Sequence, residues 1–332
     1  MINTFIDRLS GLLDKRFLVA YWGPAFVGAV LAGGLAAAFV GLAPLGLWWD
    51  GKTATQRFML GLAGLLLVTI VAYLLQALTL SLVRAYEGYW PRWLDWLETR
   101  FIHVQKGRRT GMHDRKEQRA IYYGYPLDEG RVRATRLGNV MTAAEEYAYE
   151  RFNADAVIWW PRLTAVLPEG YRTQVDNAFA SVVSLLNLCT ITAVWALVGG
   201  ALVVGTDERR WLFVLVYFGG LVAAWLFYRA AVSSAADYGD LIRSAFDLYR
   251  NDLLKQLQMP VPANLKDEKR LWTKLGQFHY YNTPPWALSP NDPLAYDRPS
   301  APAPRPTEIN VAVTPIPAID VHLRGGDDDP TH

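Results

Sequence analysis

Between Arg57 and Arg84 the chain carries no charged residue, and this run from Phe58 to Val83 limits what the protein can fold into. At about 1.5 Å of rise per residue, a helix of that length outreaches a hydrocarbon core of roughly 30 Å. Three further charge-free apolar runs accompany it: Phe17 to Trp49, Asn177 to Thr206, and Trp211 to Tyr228. Whole-chain figures of 52% hydrophobic and 19% charged residues would also suit a soluble globule. The concentration of apolar residues into four runs decides the class, because a soluble fold would have to bury four such helices in one core.

The expected fold is therefore all-α. It is an integral membrane protein with four transmembrane helices, a cytoplasmic helical insertion between helices 2 and 3, and a proline-rich carboxy-terminal tail. Six regions follow: an interfacial amphipathic segment (1–16), a first transmembrane hairpin (17–83), a helical domain (84–176), a second hairpin (177–235), a helical extension (236–278) and the tail (279–332). Phe5, Leu9, Leu12 and Leu13 recur at helical spacing beside Arg8, Lys15 and Arg16, which suits a helix at the membrane surface. A signal peptide cleaved near Ala36 to Ala38 is the alternative, against which stands an apolar run far longer than such leaders carry.

The first span is expected over Tyr21 to Leu45, bracketed by Tyr21 and Trp22 at one end and Trp48 and Trp49 at the other. Gly28, Ala32, Gly33, Ala36 and Ala37 give it a small-residue face for close packing. With the amino terminus inside, Arg8, Lys15, Arg16, Arg84, Arg92, Arg100, Arg162, Arg172, Arg229 and Arg243 lie on the inner side. Lys52, Arg57, Arg209 and Arg210 then lie outside. That asymmetry places both termini in the cytoplasm.

In the insertion, Trp90, Trp93, Leu94 and Leu97 predict an interfacial helix. Leu137, Val140, Met141, Ala144 and Ala148 mark one face of a helix capped by Thr135. Ala156 to Leu167 is apolar, too short to span and interrupted by Pro161, so it should pack on that helix or on the membrane surface. Thr206 to Arg210 allows only a tight antiparallel link. Leu241, Ala245 and Leu248 continue a helical pattern beyond the fourth span, and a short helix is expected from Leu265 to Leu275, capped by Asn264 and stopped by Gly276. Thirteen of the nineteen prolines fall from Pro260 onward, so the tail favours extended, solvated backbone.

Arg136-Leu137-Gly138-Asn139, Ala143-Ala144-Glu145-Glu146-Tyr147, and Asp155-Ala156-Val157-Ile158-Trp159-Trp160-Pro161-Arg162-Leu163 leading into a span together resemble a group of uncharacterised bacterial multi-pass membrane proteins. The resemblance covers only this part of the chain. It implies a bacterial membrane protein and carries over no activity or binding residue.

Gly46-Leu47-Trp48-Trp49-Asp50-Gly51-Lys52-Thr53 matches the Walker A pattern letter for letter, but an apolar helix precedes it where a phosphate loop needs a buried strand. Lys106, Arg108, Arg109, Arg115, Lys116 and Arg119 form a basic cluster suited to anionic lipid head groups. His103 and His113 lack the companions of a metal site, and Asp237-Tyr238-Gly239-Asp240 reads as the polar face of a helix. Within the spans, Gln76, Thr79, Asn187, Thr190 and Thr192 are candidates for interhelical hydrogen bonds or a neutral pore lining. Cys189 is the only cysteine and reads as a structural thiol. No cofactor, metal, catalytic group or nucleic-acid partner is implied. The expected role is a non-enzymatic membrane anchor for a cytoplasmic helical region that engages protein or lipid partners; a homo-oligomeric channel is the alternative, and a membrane enzyme without a recognisable motif comes third.

Overall fold

A computed structural model describes residues 15–204, 214–281 and 294. Residues 1–14 of the surface segment expected over 1–16, the link at 206–210 and nearly all of the proline-rich tail lie outside the described residues, while Lys15 and Arg16 open the first helix. All regular structure among the described residues is helical. Helix α1 runs Lys15–Val40, with a π turn at Leu18–Trp22, and α2 runs Leu42–Asp50. Helix α3 is Ala54–Glu87, α4 Asp95–Asp114, α5 Gln118–Gly124, α6 Arg136–Phe152 and α7 Ala156–Val166. Helix α8 is Glu169–Val204, α9 Val214–Gln256, opening on a π turn, and α10 Leu265–Tyr281. Four of these, α1, α3, α8 and α9, contain stretches long and apolar enough to cross a membrane.

The first span differs from its expected extent. It stops at Val40 because Gly41 adopts φ 90° and a new helix begins at Leu42. Pro44 accounts for the break: it has no N–H to donate, and its ring would collide with the Val40 carbonyl one turn back. At the next junction Thr53 accepts from the Gln56 amide at 3.3 Å while the Gln56 side chain accepts from the Thr53 amide at 3.0 Å, a reciprocal cap that starts α3. Helix α3 ends at Gly88, in the left-handed region at φ 94°.

Helices α8 and α9 pair along most of their length. At about 1.5 Å per residue they extend well beyond any roughly 30 Å hydrocarbon layer. Their projecting halves form the middle of a helical head, with α6, α7 and α10 packed around them. The core there contains Leu137, Ala144, Trp159, Leu163, Ala245, Phe246, Leu254, Trp272 and Leu275, all buried. The sequence-based boundaries at residues 177 and 236 thus fall inside continuous helices, α9 passing without a break from span to head. Helix α7 packs on α6 and α9 through Trp159 and Leu163.

Helix α10 begins at its expected cap, Asn264 Oδ1 accepting from the Asp267 amide at 3.0 Å. It does not stop at Gly276 but continues to Tyr281. Trp272 lies edge-on to Trp159 at 5.0 Å, and His279, beyond the glycine, meets the same Trp159 ring at 5.2 Å. Docking of this face outweighs the cost of about 1 kcal/mol for an interior glycine.

The start of α6 locks onto the end of α3. Thr135 donates its hydroxyl proton to the Tyr86 carbonyl at 2.6 Å and accepts from the Gly138 amide at 2.9 Å, joining two helix termini with one side chain. Fully buried Asn139 closes the preceding loop, donating to the Arg133 and Thr135 carbonyls and accepting from the Arg133 amide. A Cβ on Gly138 would lie 2.0 Å from the Glu87 carbonyl oxygen, so only glycine fits. Gly138→Ala should lower stability by at least the roughly 1–3 kcal/mol typical of overpacking, since backbone has to move. Thermal unfolding of the detergent-solubilised protein checks this, with Gly64→Ala, where nothing lies within 4 Å, expected to change little.

Candidate functional site

The polar residues of the spans are drawn into contacts between helices. Asn187, fully buried on α8, donates from Nδ2 to the Ala20 carbonyl of α1 at 2.8 Å. Ala20 lies within the π turn, where the ordinary i to i+4 ladder is displaced and a carbonyl becomes free to accept from elsewhere. Thr79 of α3 donates to the Tyr21 hydroxyl at 3.2 Å. Thr190 sits 3.1 Å from the Tyr86 hydroxyl, which also donates to the Cys189 sulfur at 3.3 Å. Each bond ties a different pair among α1, α3 and α8.

Two expected partners behave otherwise. Thr192 turns back to its own helix, donating to the Leu188 carbonyl at 2.7 Å. Gln76 makes no hydrogen bond across helices among the described residues, because it lies on an exposed part of α3. It borders a cavity of about 280 Å³ between α1, α3 and α8, on whose rim Arg16 and Asp176 form an ion pair. Asn187→Leu should cost about 0.6–2 kcal/mol, by loss of the bond to Ala20, whereas Gln76→Leu should leave stability nearly unchanged. Thermal unfolding in detergent separates the two.

The basic cluster on α4 and the turn after it divides by function. Arg109 turns inward, pairing with Glu129 and donating to the Leu127 carbonyl at 2.8 Å, so it fastens α4 to the following loop. Arg115 pairs with Glu117 at 2.8 Å, and Arg119 lies over the Tyr123 ring at 5.8 Å. Lys106, Arg108 and Lys116 form no ion pair among the described residues. The same region exposes Tyr89, Trp93 and Trp96, with Trp93 at 74% and Trp96 at 67%. Trp90 instead packs edge-on against Phe101 and donates to the Ala85 carbonyl. The helix starts at Asp95, after a 3-10 turn at Arg92–Leu94, so the expected regular stripe from Trp90 is broken by Pro91.

Other sequence candidates have structural roles. In the Walker-like stretch Lys52 lies over the Trp48 ring at 4.8 Å and Thr53 is occupied as the α3 cap. In Asp237 to Asp240, Tyr238 is buried and Asp240 pairs with Arg243 at 2.9 Å. Buried Arg243 lies over both Tyr122 and Tyr123, at 5.0 and 5.3 Å, and so holds α5 on α9.

The head also gathers carboxylates at a second cavity of about 340 Å³, lined by Glu146, Glu150, Tyr122, Tyr147 and Arg151 among others. Glu146 is buried and meets Arg131 at 2.7 Å. Burial pushes the carboxyls of Glu145, Glu146 and Glu150 upward, against the attraction of neighbouring arginines. The folded state therefore binds protons more readily than the unfolded chain, whose glutamates titrate near about 4.3. Acidification through the raised folded values favours folding, and that contribution is lost as pH climbs past them. Glu146→Gln, a neutral isostere, should raise the unfolding temperature at about pH 8, with the difference shrinking toward about pH 5. Arg131, half exposed, keeps its charge solvated in this variant.

A third cavity, of about 380 Å³ between α5, α6 and α9, is bordered by Arg136 and Arg229. Sequence reasoning assigned Arg229 only to the orientation count and Arg136 only to the resemblance. The signal available was that Arg229 follows the last aromatic residue of the fourth span, Tyr228. Comparison of the chain with protein-family models, with curated proteins and with solved structures yields no match.

Proposed function

We propose that the protein is a non-enzymatic membrane scaffold, in which four spans hold a helical head at the cytoplasmic face of a bacterial inner membrane to engage protein or lipid partners. The observation that carries this reading is the continuity of α8 and α9, which run unbroken from apolar, membrane-length stretches into the buried core of the head. A head sharing two helices with its anchor is fixed relative to the bilayer rather than tethered by a linker. The excess of basic residues flanking the spans on one side supports the cytoplasmic placement.

Exposed Trp93 and Trp96 flanking the start of α4, with Lys106 and Arg108 further along it and Lys116 just past its end, suit the border of an anionic leaflet, tryptophan at the head-group level and each cation attracted by about 1 kcal/mol. Of the residues expected to line a pore, Asn187 is buried in a helix contact and bonded to backbone, which supports the scaffold over the channel, while Gln76 borders a cavity. Large apolar residues remain exposed along α1 and α3, including Phe26, Val30, Leu62 and Leu66, and these suit lipid or a second copy of the chain.

Three measurements test the proposal. In intact cells, a thiol reagent that does not cross membranes should label Lys52→Cys but not Lys116→Cys; the reverse pattern overturns the orientation. In reconstituted vesicles the protein should carry no current, and a conductance abolished by Gln76→Leu would replace the scaffold by a channel. In nanodiscs, amide exchange across α4 should slow when anionic lipid is included, and Lys106→Gln, Arg108→Gln and Lys116→Gln together should remove that effect.

A further inference from the structure

The cavity between α5, α6 and α9 is lined by basic and no acidic side chains. Four arginines elsewhere in the head meet carboxylates, Arg109 with Glu129, Arg131 with Glu146, Arg243 with Asp240 and Arg250 with Glu268, while Arg133, Arg151 and Arg162 lie over aromatic rings instead. Arg136, at the start of α6, and Arg229, on α9, both exposed, border the cavity, and neither guanidinium has an ion pair or hydrogen bond among the described residues. Arg229 rests over the Trp225 ring at 4.9 Å, which positions the group without neutralising it. Ser233, one turn further along α9, adds a hydroxyl to the same wall.

The amino terminus of α6 contributes little donor capacity here. Its Leu137 amide donates to the Tyr228 hydroxyl at 3.3 Å, and its Gly138 amide is taken by Thr135. An anion in the cavity would be held by the two guanidiniums and the hydroxyl, a donor set matched to phosphate oxygens.

What lies next to the cavity selects the kind of phosphate. On α9, Val222, Trp225 and Leu226 precede Arg229 at spacings of seven, four and three, so all share one face of the helix. They are exposed at 56%, 54% and 53%, within the part of α9 apolar enough to cross a membrane. One helix face thus passes from exposed hydrocarbon through tryptophan to arginine and into the cavity, the order of groups in an amphiphile with a phosphate head.

We propose that this cavity binds the phosphate of an anionic phospholipid, between Arg136 and Arg229, with the acyl chains along the Val222 to Leu226 face. The proposal rests on α9 crossing the bilayer and is distinct from the diffuse attraction of α4. It makes one lipid a specific ligand at the junction where α5, α6 and the fourth span meet.

The test is native mass spectrometry of the full chain extracted from nanodiscs of phosphatidylcholine with a minor fraction of phosphatidylglycerol. The wild-type chain should retain phosphatidylglycerol. The double variant R136Q/R229Q should retain it about tenfold less, as loss of charge-assisted bonds requires. The charge-matched control K255Q/K266Q, outside the cavity, should retain it as the wild type does. R136K/R229K should recover part of the retention, which a collapsed fold would not. Equal retention by wild type and R136Q/R229Q overturns the proposal. Displacement of the lipid by millimolar glycerol 3-phosphate would reassign the cavity to a soluble phosphate ester and overturn the lipid assignment. Release of the wild-type chain from membranes by alkaline carbonate would instead remove the membrane reading beneath it.

Discussion

Two helices that are longer than a bilayer is thick set the terms for everything else in this protein. Helices α8 and α9 have to satisfy lipid along one part of their length and a packed core along the other. The transition is visible on α9 itself: Val222, Trp225 and Leu226 are exposed, whereas Ala231, Ala235, Ala245 and Phe246 are buried. The small residues at 231, 235 and 245 allow α6 and α8 to approach closely, and packing in the head then follows from ordinary burial of apolar area. Because the helices do not break between the two environments, tilt or rotation of the spans is transmitted directly to the head.

The second constraint is backbone polarity where helices end at the boundary. Helix α3 finishes at Gly88, and its late carbonyls would be costly to leave unpaired near a membrane surface. Thr135 supplies a donor to Tyr86, and the same residue opens α6. Gly138 lets the two termini meet by carrying no Cβ, and Asn139 holds the loop between them. The Arg136 to Asn139 stretch quoted for the family resemblance therefore has a concrete structural task, independent of any activity. In the same core cluster, the π turn of α1 presents the Ala20 carbonyl to Asn187, so a helix irregularity and a buried amide meet each other's requirement.

Arginine serves three physical roles here. Arg131 and Arg250 are partners to the carboxylates of Glu146 and Glu268 that the head buries, and buried Arg243 pairs with half-exposed Asp240, with aromatic rings of Tyr122, Tyr123 and Phe152 beside Arg243 and Arg250. Arg109 ties a surface helix to its neighbouring loop. Arg136 and Arg229 face a cavity with no acidic residue. The absence of a carboxylate from that lining, and the exposed apolar face of α9 that leads to it, give the phospholipid proposal its basis.

Much of the architecture was legible because it depends on local properties. Hydropathy over a membrane-length window identified α1, α3, α8 and α9, and the caps at Thr135 and Asn264 followed from side chains that reach amides three residues on. Local signals failed where packing opposed them: Gly276 could not end α10 against the contacts of Trp272 and His279 with Trp159, and the small residue Gly41 followed by Pro44 divided the first apolar run. The candidate site was less legible. That Asn187, Thr79 and Thr190 would bridge helices could be listed from their types, but not that Gln76 would face a cavity mouth or that Thr192 would bond within its own helix. The sequence by itself determined four apolar helices and a polar helical region between them. Only the tertiary structure decided that Arg136 and Arg229 share one cavity while Arg109 turns away from the surface, because charge matching is a property of distances between elements far apart in the chain.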